Sequence, residues 1–420
     1  MSKIIFGEYE RLSSPASGSN GTVHKVRHIE QGYIRAIKIL NGFVENKESP
    51  KYQSFLKEYR RLALLGNCSH PNIVGVHKAD LKDNSAFYEM DYIDGIPLAN
   101  YIATQKLLPI DEVLRFCRDF LSAMTYCHVG VTDYLLNREI DNVPTDPLDG
   151  TKVQIDDATR ERLITKYGII HNDIHSSNIM RNRYDGRYIL LDFGISMQGG
   201  IAVRESGLGE GALAYSAPEK ILNKDVSFRS DVYSIGVVMY EALSGRLPFP
   251  SKDDEGNDYS SKLMYDFHSS SPIPSIFELR KAAFNIVNGG KMEYQKDYPD
   301  WLEQLIKKCL AKNPKERFAN AKEINDVFHE NLDSYSTSST VSINSNAILV
   351  EELSVAVEEK TRQLKDKDKT IKDWERKFAK LQLIKEMNKR VKKISPLWVM
   401  VFILTIVAAI LFIFPDILLP

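Results

Sequence analysis

No charged residue stands between Ile394 and Pro415, and residues 397–414 read "LWVMVFILTIVAAILFIF". As a helix rising about 1.5 Å per residue, this run reaches roughly 27 Å, close to the hydrocarbon thickness of a bilayer. A core helix this apolar needs a globular body around it, and only a short tail comes after. The expectation is a single-pass transmembrane helix over 396–415, acting as a C-terminal tail anchor. Lys389, Arg390, Lys392 and Lys393 lie just before it, and the positive-inside rule then keeps the long N-terminal part in the cytosol. The opening "MSKIIFGEYERLSS" has an apolar run too short for a signal peptide.

A chain of 420 residues suits more than one unit. With 43% hydrophobic and 26% charged residues it is globular in composition, which excludes wholesale disorder. Its net charge of −1 gives no general pull toward nucleic acid, and no nucleic-acid partner is expected. Cys68, Cys117, Cys127 and Cys309 are scattered, which suits packed thiols in a reducing compartment better than a disulfide frame or a zinc site. Residues 332–347 are rich in Ser and Thr and read as a linker. From 348 to 393 Val350, Val357, Leu364, Ile371 and Phe378 recur every seventh position, while Lys360 and Lys367 interrupt the companion positions. The expectation there is a short, imperfect coiled coil that could pair two copies, or else a solitary basic juxtamembrane helix.

The first 331 residues carry an ordered series of short motifs. "ASGSNGTVHKV" (16–26) has Gly18 and Gly21 where a strand could turn back with its amides near a phosphate chain; a plain surface turn reads the same way. "YIRAIKIL" (33–40) alternates as a strand, and Lys38 within it is costly unless paired. Glu58, in the helical "FLKEYRRLALL" (55–65), could be its partner or an ordinary surface acid. "AFYEMDYIDG" (86–95) is a strand that becomes a polar connection able to present backbone groups to a flat base. "IIHNDIHSSNIM" (169–180) sets Asp173 and Asn178 five apart, and "YILLDFGIS" (188–196) ends an apolar strand at Asp192. "AYSAPEK" (214–220), "SDVYSIGVVMYEALSGRLPF" (230–249) and "CLAKNPKERF" (309–318) complete the series.

In order and spacing these motifs resemble the eukaryotic-type (serine/threonine) protein kinases, over about 7–331. The resemblance implies an α+β fold of two lobes: a β-rich N-lobe (7–90), a hinge (91–95) and a helical C-lobe (96–331). It implies ATP with Mg²⁺, or Mn²⁺ in its place, held between the lobes, and protein substrates. Ala16, Gly18, Gly21, Val23, Ala36, Met90, Asp91 and Ile93 would surround the nucleotide, with Met90 guarding the back of the pocket. Lys38, positioned by Glu58, would hold the phosphates; Asn178 and Asp192 would hold the metal; Asp173 would accept the proton of the acceptor hydroxyl. His171 and Gly194 would support these motifs, Glu219 and Arg317 would brace the peptide-binding segment, and Asp231 would brace the catalytic loop.

The chain departs from the family in six places, of which two are Ala16, standing where the first glycine of the loop is usual, and residues 251–300, longer than the family needs. Asn172 stands where an arginine usually meets a phosphate on the activation segment, so activity is expected not to depend on phosphorylation at Ser206 or Tyr215. His175 replaces a lysine that neutralises the γ-phosphate; it either takes that role, protonated beside phosphate, or fills space in the loop. Ala212 replaces a threonine near the base. Residues 129–167 form an insertion, read as decoration or as a docking surface. His175 also gives the loop a pattern similar to aminoglycoside and other small-molecule kinases, which generally lack the Glu219, Asp231 and Arg317 set. Three readings follow: a membrane-anchored serine/threonine protein kinase able to phosphorylate itself, a small-molecule kinase, and a non-catalytic scaffold. The departures are similar to those of bacterial members, which makes a bacterial cell membrane the expected location.

Overall fold

The computed structural model describes residues 4–18, 21–66, 70–133, 157–192, 197–198, 210–222, 226–253 and 255–335. The chain divides into two units, Met1–Tyr335 and Ser336–Pro420. The coiled-coil and membrane-span readings fall in the second unit, outside the described residues. Among the described residues no helix is long and apolar enough to cross a membrane.

The first unit opens with antiparallel strands β1 (Ile4–Ile5), β2 (Tyr9–Arg11), β3 (Ala16–Gly18), β4 (Gly21–His28), β5 (Ile34–Leu40), β6 (Val76–Lys82) and β7 (Ser85–Asp91). They form one sheet in the order β1-β2-β4-β5-β7-β6, with β3 added on β4. Helix α1 (Pro50–Gly66) lies between β5 and β6 in sequence. Alternation divides the central strands between two faces. Ile37 and Phe87 pack with Ile5, Tyr9 and Val26 on one face. The opposite face carries two cross-strand rows, Ala16–Val23–Lys38–Tyr88 and Lys25–Ala36–Met90.

Gly21 begins β4 opposite Leu40, and a Cβ there would lie 2.3 Å from the Ile39 carbonyl oxygen. The sequence suggested this glycine for the turn; the close approach of β5 is what demands it. Gly21→Val should therefore pry β4 from β5, costing about 1–3 kcal/mol of stability. A denaturant melt showing native stability would refute the contact.

The rest of the unit is mainly helical. A three-stranded sheet, β8 (Gly95–Pro97), β10 (Ile179–Asn182) and β11 (Tyr188–Leu190), and the pair β9 (Ile169–Ile170) with β12 (Met197–Gln198) carry the polar loops of interest. The helix Phe228–Ser244 is apolar nearly all round and accordingly buried on every side. Ser227 and Ser230 form a capping box at its start, and Gly245, at φ 80°, closes it. Gly236 lets the helix Asp300–Cys309 approach: a Cβ there would meet Cys309 Cβ at 2.6 Å.

Helix α2 (Leu98–Gln105) is followed by α3 (Ile110–Thr125), which runs into a π-helical turn, Tyr126–Gly130. Residues 131–133 continue helically, with Val129, Val131 and Thr132 buried. A helix over Asp157–Tyr167 then leads to β9. Residues 134–156 of the expected insertion lie outside the described residues. The last described helix, 321–335, extends into the stretch expected to begin a linker.

Candidate active site

β9 and β10 flank the loop 171–178, and its backbone is tied down from beneath. Asp231, on the buried helix, accepts hydrogen bonds from His171 N at 2.6 Å, Asn172 N at 2.9 Å and His128 Nε2 at 3.1 Å. Burial pushes the Asp231 pKa up, but His128, then His171 and the Asn172 amide, outweigh that and hold it below the usual carboxylate range. This is the brace the resemblance implied. The sequence reading missed His128, which the π-helical turn aims at Asp231 while its Nδ1 accepts from Ala321 N.

Asn172 adopts φ 63°, a left-handed conformation that Asn tolerates better than most residues. Its carbonyl accepts from the ammonium of Lys220. His171 is fully buried, which lowers its pKa. Its Nδ1 accepts from Asp173 N and its Nε2 donates to Leu191 O, so one neutral ring links the loop to the residue before Asp192.

Asp173 thus sits on a fixed backbone. Asn178 Nδ2 donates to the Asp173 carbonyl at 3.0 Å, and Asn178 N donates to His175 O. That bond fixes the amide so that Nδ2, not Oδ1, meets the Asp173 carbonyl. Asp192, at φ 43°, ends β11's extension, and its Oδ1 accepts from Lys38 Nζ at 2.7 Å. Lys38 is 6% exposed, so this pairing offsets the burial of its charge. Glu58 is on α1, and its side chain lies outside the described residues.

Ala16, Val23 and Lys38 share one cross-strand row, and Ala36 and Met90 share the next. Gly18 pairs with Gly21 across the β3–β4 hairpin, and Ala16 is in extended strand. The Asp91 carboxylate is engaged with His77 Nε2 at 2.7 Å, and the Asp91 amide donates to the Gly75 carbonyl at 2.9 Å. Ile93 follows in the connection between β7 and β8.

His175 Nε2 lies 3.9 Å from Asp173 Oδ2. Burial pushes its pKa below the ordinary histidine value despite Asp173 and Asp192 nearby. Burial thus favours the neutral ring, and the two carboxylates oppose it.

Tyr215, at which no dependence on phosphorylation was expected, is engaged on both sides of its hydroxyl. Its hydroxyl donates to Glu241 at 2.8 Å and accepts from Ser176 Oγ at 2.7 Å, and burial drives its pKa well up. Tyr215 therefore joins the catalytic loop to the buried helix as a structural link. Gly194 and Ser206 lie outside the described residues, as does the Ala212 side chain.

Arg317 grips Glu219 through Nη1–Oε1 at 2.8 Å and Nη2–Oε2 at 3.1 Å. Its remaining N–H groups reach the Ala311, Arg229 and Lys312 carbonyls, and Ser230 Oγ also donates to Glu219. Every donor of the buried guanidinium is used, which is what a buried charge requires. The expected bracing pair is present.

A family model described as "Protein kinase domain" matches residues 9–132 and 162–329. The probable serine/threonine-protein kinase PknB of Lactococcus lactis is 24% identical over 328 residues, covering 77% of this chain and 42% of the relative. Serine/threonine-protein kinase PknH of Mycobacterium tuberculosis is 24% identical over 329 residues, covering 78% and 42%. Serine/threonine-protein kinase Pkn1 of Myxococcus xanthus is 25% identical over 320 residues, covering 75% and 37%. The chain thus spans about two fifths of the length of the curated relatives it matches. With the lysine–aspartate pair, the braced loop and the Glu219–Arg317 clamp in place, and with most of the chain matched, it belongs to the protein kinase domain family.

Proposed function

We propose that the chain is an ATP- and Mg²⁺-dependent protein kinase that phosphorylates Ser and Thr hydroxyls of proteins, itself included, while tethered to a bacterial membrane. The carrying observation is the Lys38–Asp192 ion pair facing a loop that presents Asp173 and an oriented Asn178. The names and organisms of the relatives support the serine/threonine and bacterial parts of the reading. The apolar run at 397–414 supports the tether.

Asp192 and Asn178 Oδ1 would hold the divalent cation, a donor set of one carboxylate and one amide that leaves room for phosphate oxygens. Bound there, Mg²⁺ supplies charge neutralisation across the phosphates. Lys38 binds phosphate once released from Asp192. Asp173 orients the acceptor hydroxyl and takes its proton as the oxygen attacks in line. Ala36 and Met90 form the apolar wall for the base, with backbone donors and acceptors from Asp91 to Ile93. A coiled coil over 348–393 would bring two kinases together and raise the rate of transfer between them.

The test is the full chain in lipid vesicles with Mg²⁺ and γ-labelled ATP, alone and with a generic basic protein. Label in phosphoserine or phosphothreonine is the expected result. Label appearing only in small hydroxyl compounds would instead favour the small-molecule reading that His175 suggests. ATP binding without any transfer would favour the scaffold.

A further inference from the structure

One cation at the loop has no part in the roles given above. Lys220 follows Glu219, yet its side chain turns inward and the residue is only 9% exposed. Its ammonium donates to the carbonyl of Asn172, the residue preceding Asp173. An ammonium buried this deeply is costly unless anions compensate it. Burial lowers its pKa, and Asp173 and then Asp231 oppose that shift. The clamped carbonyl belongs to the peptide that leads into the residue placed as the base.

We propose that Lys220 is a positioning residue for phosphoryl transfer. It clamps the peptide before Asp173 and sets a fixed positive charge beside that carboxylate, standing in for the lysine that the loop lacks at His175. The inference rests on the protein-kinase reading of this site.

Two features carry it. Asn172 is held on both sides: its N–H goes to Asp231 and its carbonyl to Lys220, which keeps the left-handed φ of 63°. The base of the Lys220 side chain is immobile, because Arg317 and Ser230 pin the adjacent Glu219. A cation held by such a scaffold needs no reorganisation when charge moves between the acceptor oxygen and Asp173.

The experiment measures kcat, KM for ATP, ATP dissociation and melting temperature for the native full chain, Lys220→Gln and Lys220→Arg, with Mg·ATP and a protein acceptor. Glutamine keeps an N–H for the Asn172 carbonyl but removes the charge; arginine keeps both. Lys220→Gln should lower kcat by about 10- to 100-fold, with KM and dissociation of ATP within about twofold of native. Lys220→Arg should recover most of that loss. Native kcat in Lys220→Gln, or a change confined to KM or melting temperature, overturns the proposal while leaving the protein-kinase reading standing. A native chain that transfers no phosphate to protein overturns both. If Lys220→Gln does not fold, Lys220→Arg decides: kcat within about tenfold of native supports the charge, and loss to the background of an Asp173→Asn control overturns it.

Discussion

Asp173→Asn in the full chain is expected to lower phosphate transfer by about 10²- to 10⁴-fold and to leave ATP binding unchanged. The substitution is isosteric and keeps the backbone as it is. The Asp173 carbonyl still accepts from Asn178 Nδ2, and the Asp173 amide still donates to His171 Nδ1. The metal side of the site, Asn178 and Asp192, therefore stays in position, and so does Lys38. What disappears is a carboxylate able to orient the acceptor hydroxyl and take its proton. The loss should fall on kcat, with ATP dissociation measured by equilibrium titration holding at the native value. A variant that keeps more than about a tenth of native kcat would falsify the base assignment.

Asp231→Asn is expected to damage the loop itself. Three N–H donors converge on this carboxylate: His171 N, Asn172 N and His128 Nε2. An amide offers one oxygen and turns an NH₂ toward a donor, so at least one buried N–H loses its partner. The group is wholly buried, and removing one side of such a network costs about 3–5 kcal/mol. Activity should fall together with the melting temperature, unlike the Asp173 variant. The pH dependence has a definite sign. The folded pKa of Asp231 lies below its ordinary value, so its stabilisation is complete above the usual carboxylate range. It is lost as the pH falls through the depressed folded value. The native chain should thus lose more stability on acidification than Asp231→Asn does. Parallel acid melts of the two proteins would sink the account.

The motifs that hold Asp173, Asn178 and Asp192 were legible as short segments, and their roles came from the family resemblance. The fold brings the first two together through the Asn178 side chain on the Asp173 carbonyl, and the Leu191 amide donates to the Asn178 carbonyl one residue before Asp192. Lys38 was legible because an ammonium within an apolar strand demands an anion, and Asp192 is one such anion; the Glu58 side chain expected as its partner lies outside the described residues. Glu219 with Arg317, and Asp231 beneath the loop, are separated by long stretches of chain and were reached through family resemblance. His128 escaped notice because a π-helical turn, not a sequence signature, rotates it toward Asp231. The Ser176–Tyr215–Glu241 link and the inward turn of Lys220 escaped for a related reason. Each depends on how a segment packs over a helix far away in sequence, and a buried polar side chain looks like an exposed one in the chain.

The pairing of Lys38 with Asp192 makes each the other's counter-ion in the free protein. On the proposed function, an uncharged flat heterocycle seated by Ala36 and Met90 would enter without disturbing that pair. A triphosphate would part it, drawing the ammonium to its own oxygens and leaving the carboxylate to a metal. Nucleotide binding, on that function, exchanges this ion pair for contacts to phosphate and to a cation, so the affinity for ATP should depend on the divalent cation more steeply than the affinity for an uncharged competitor.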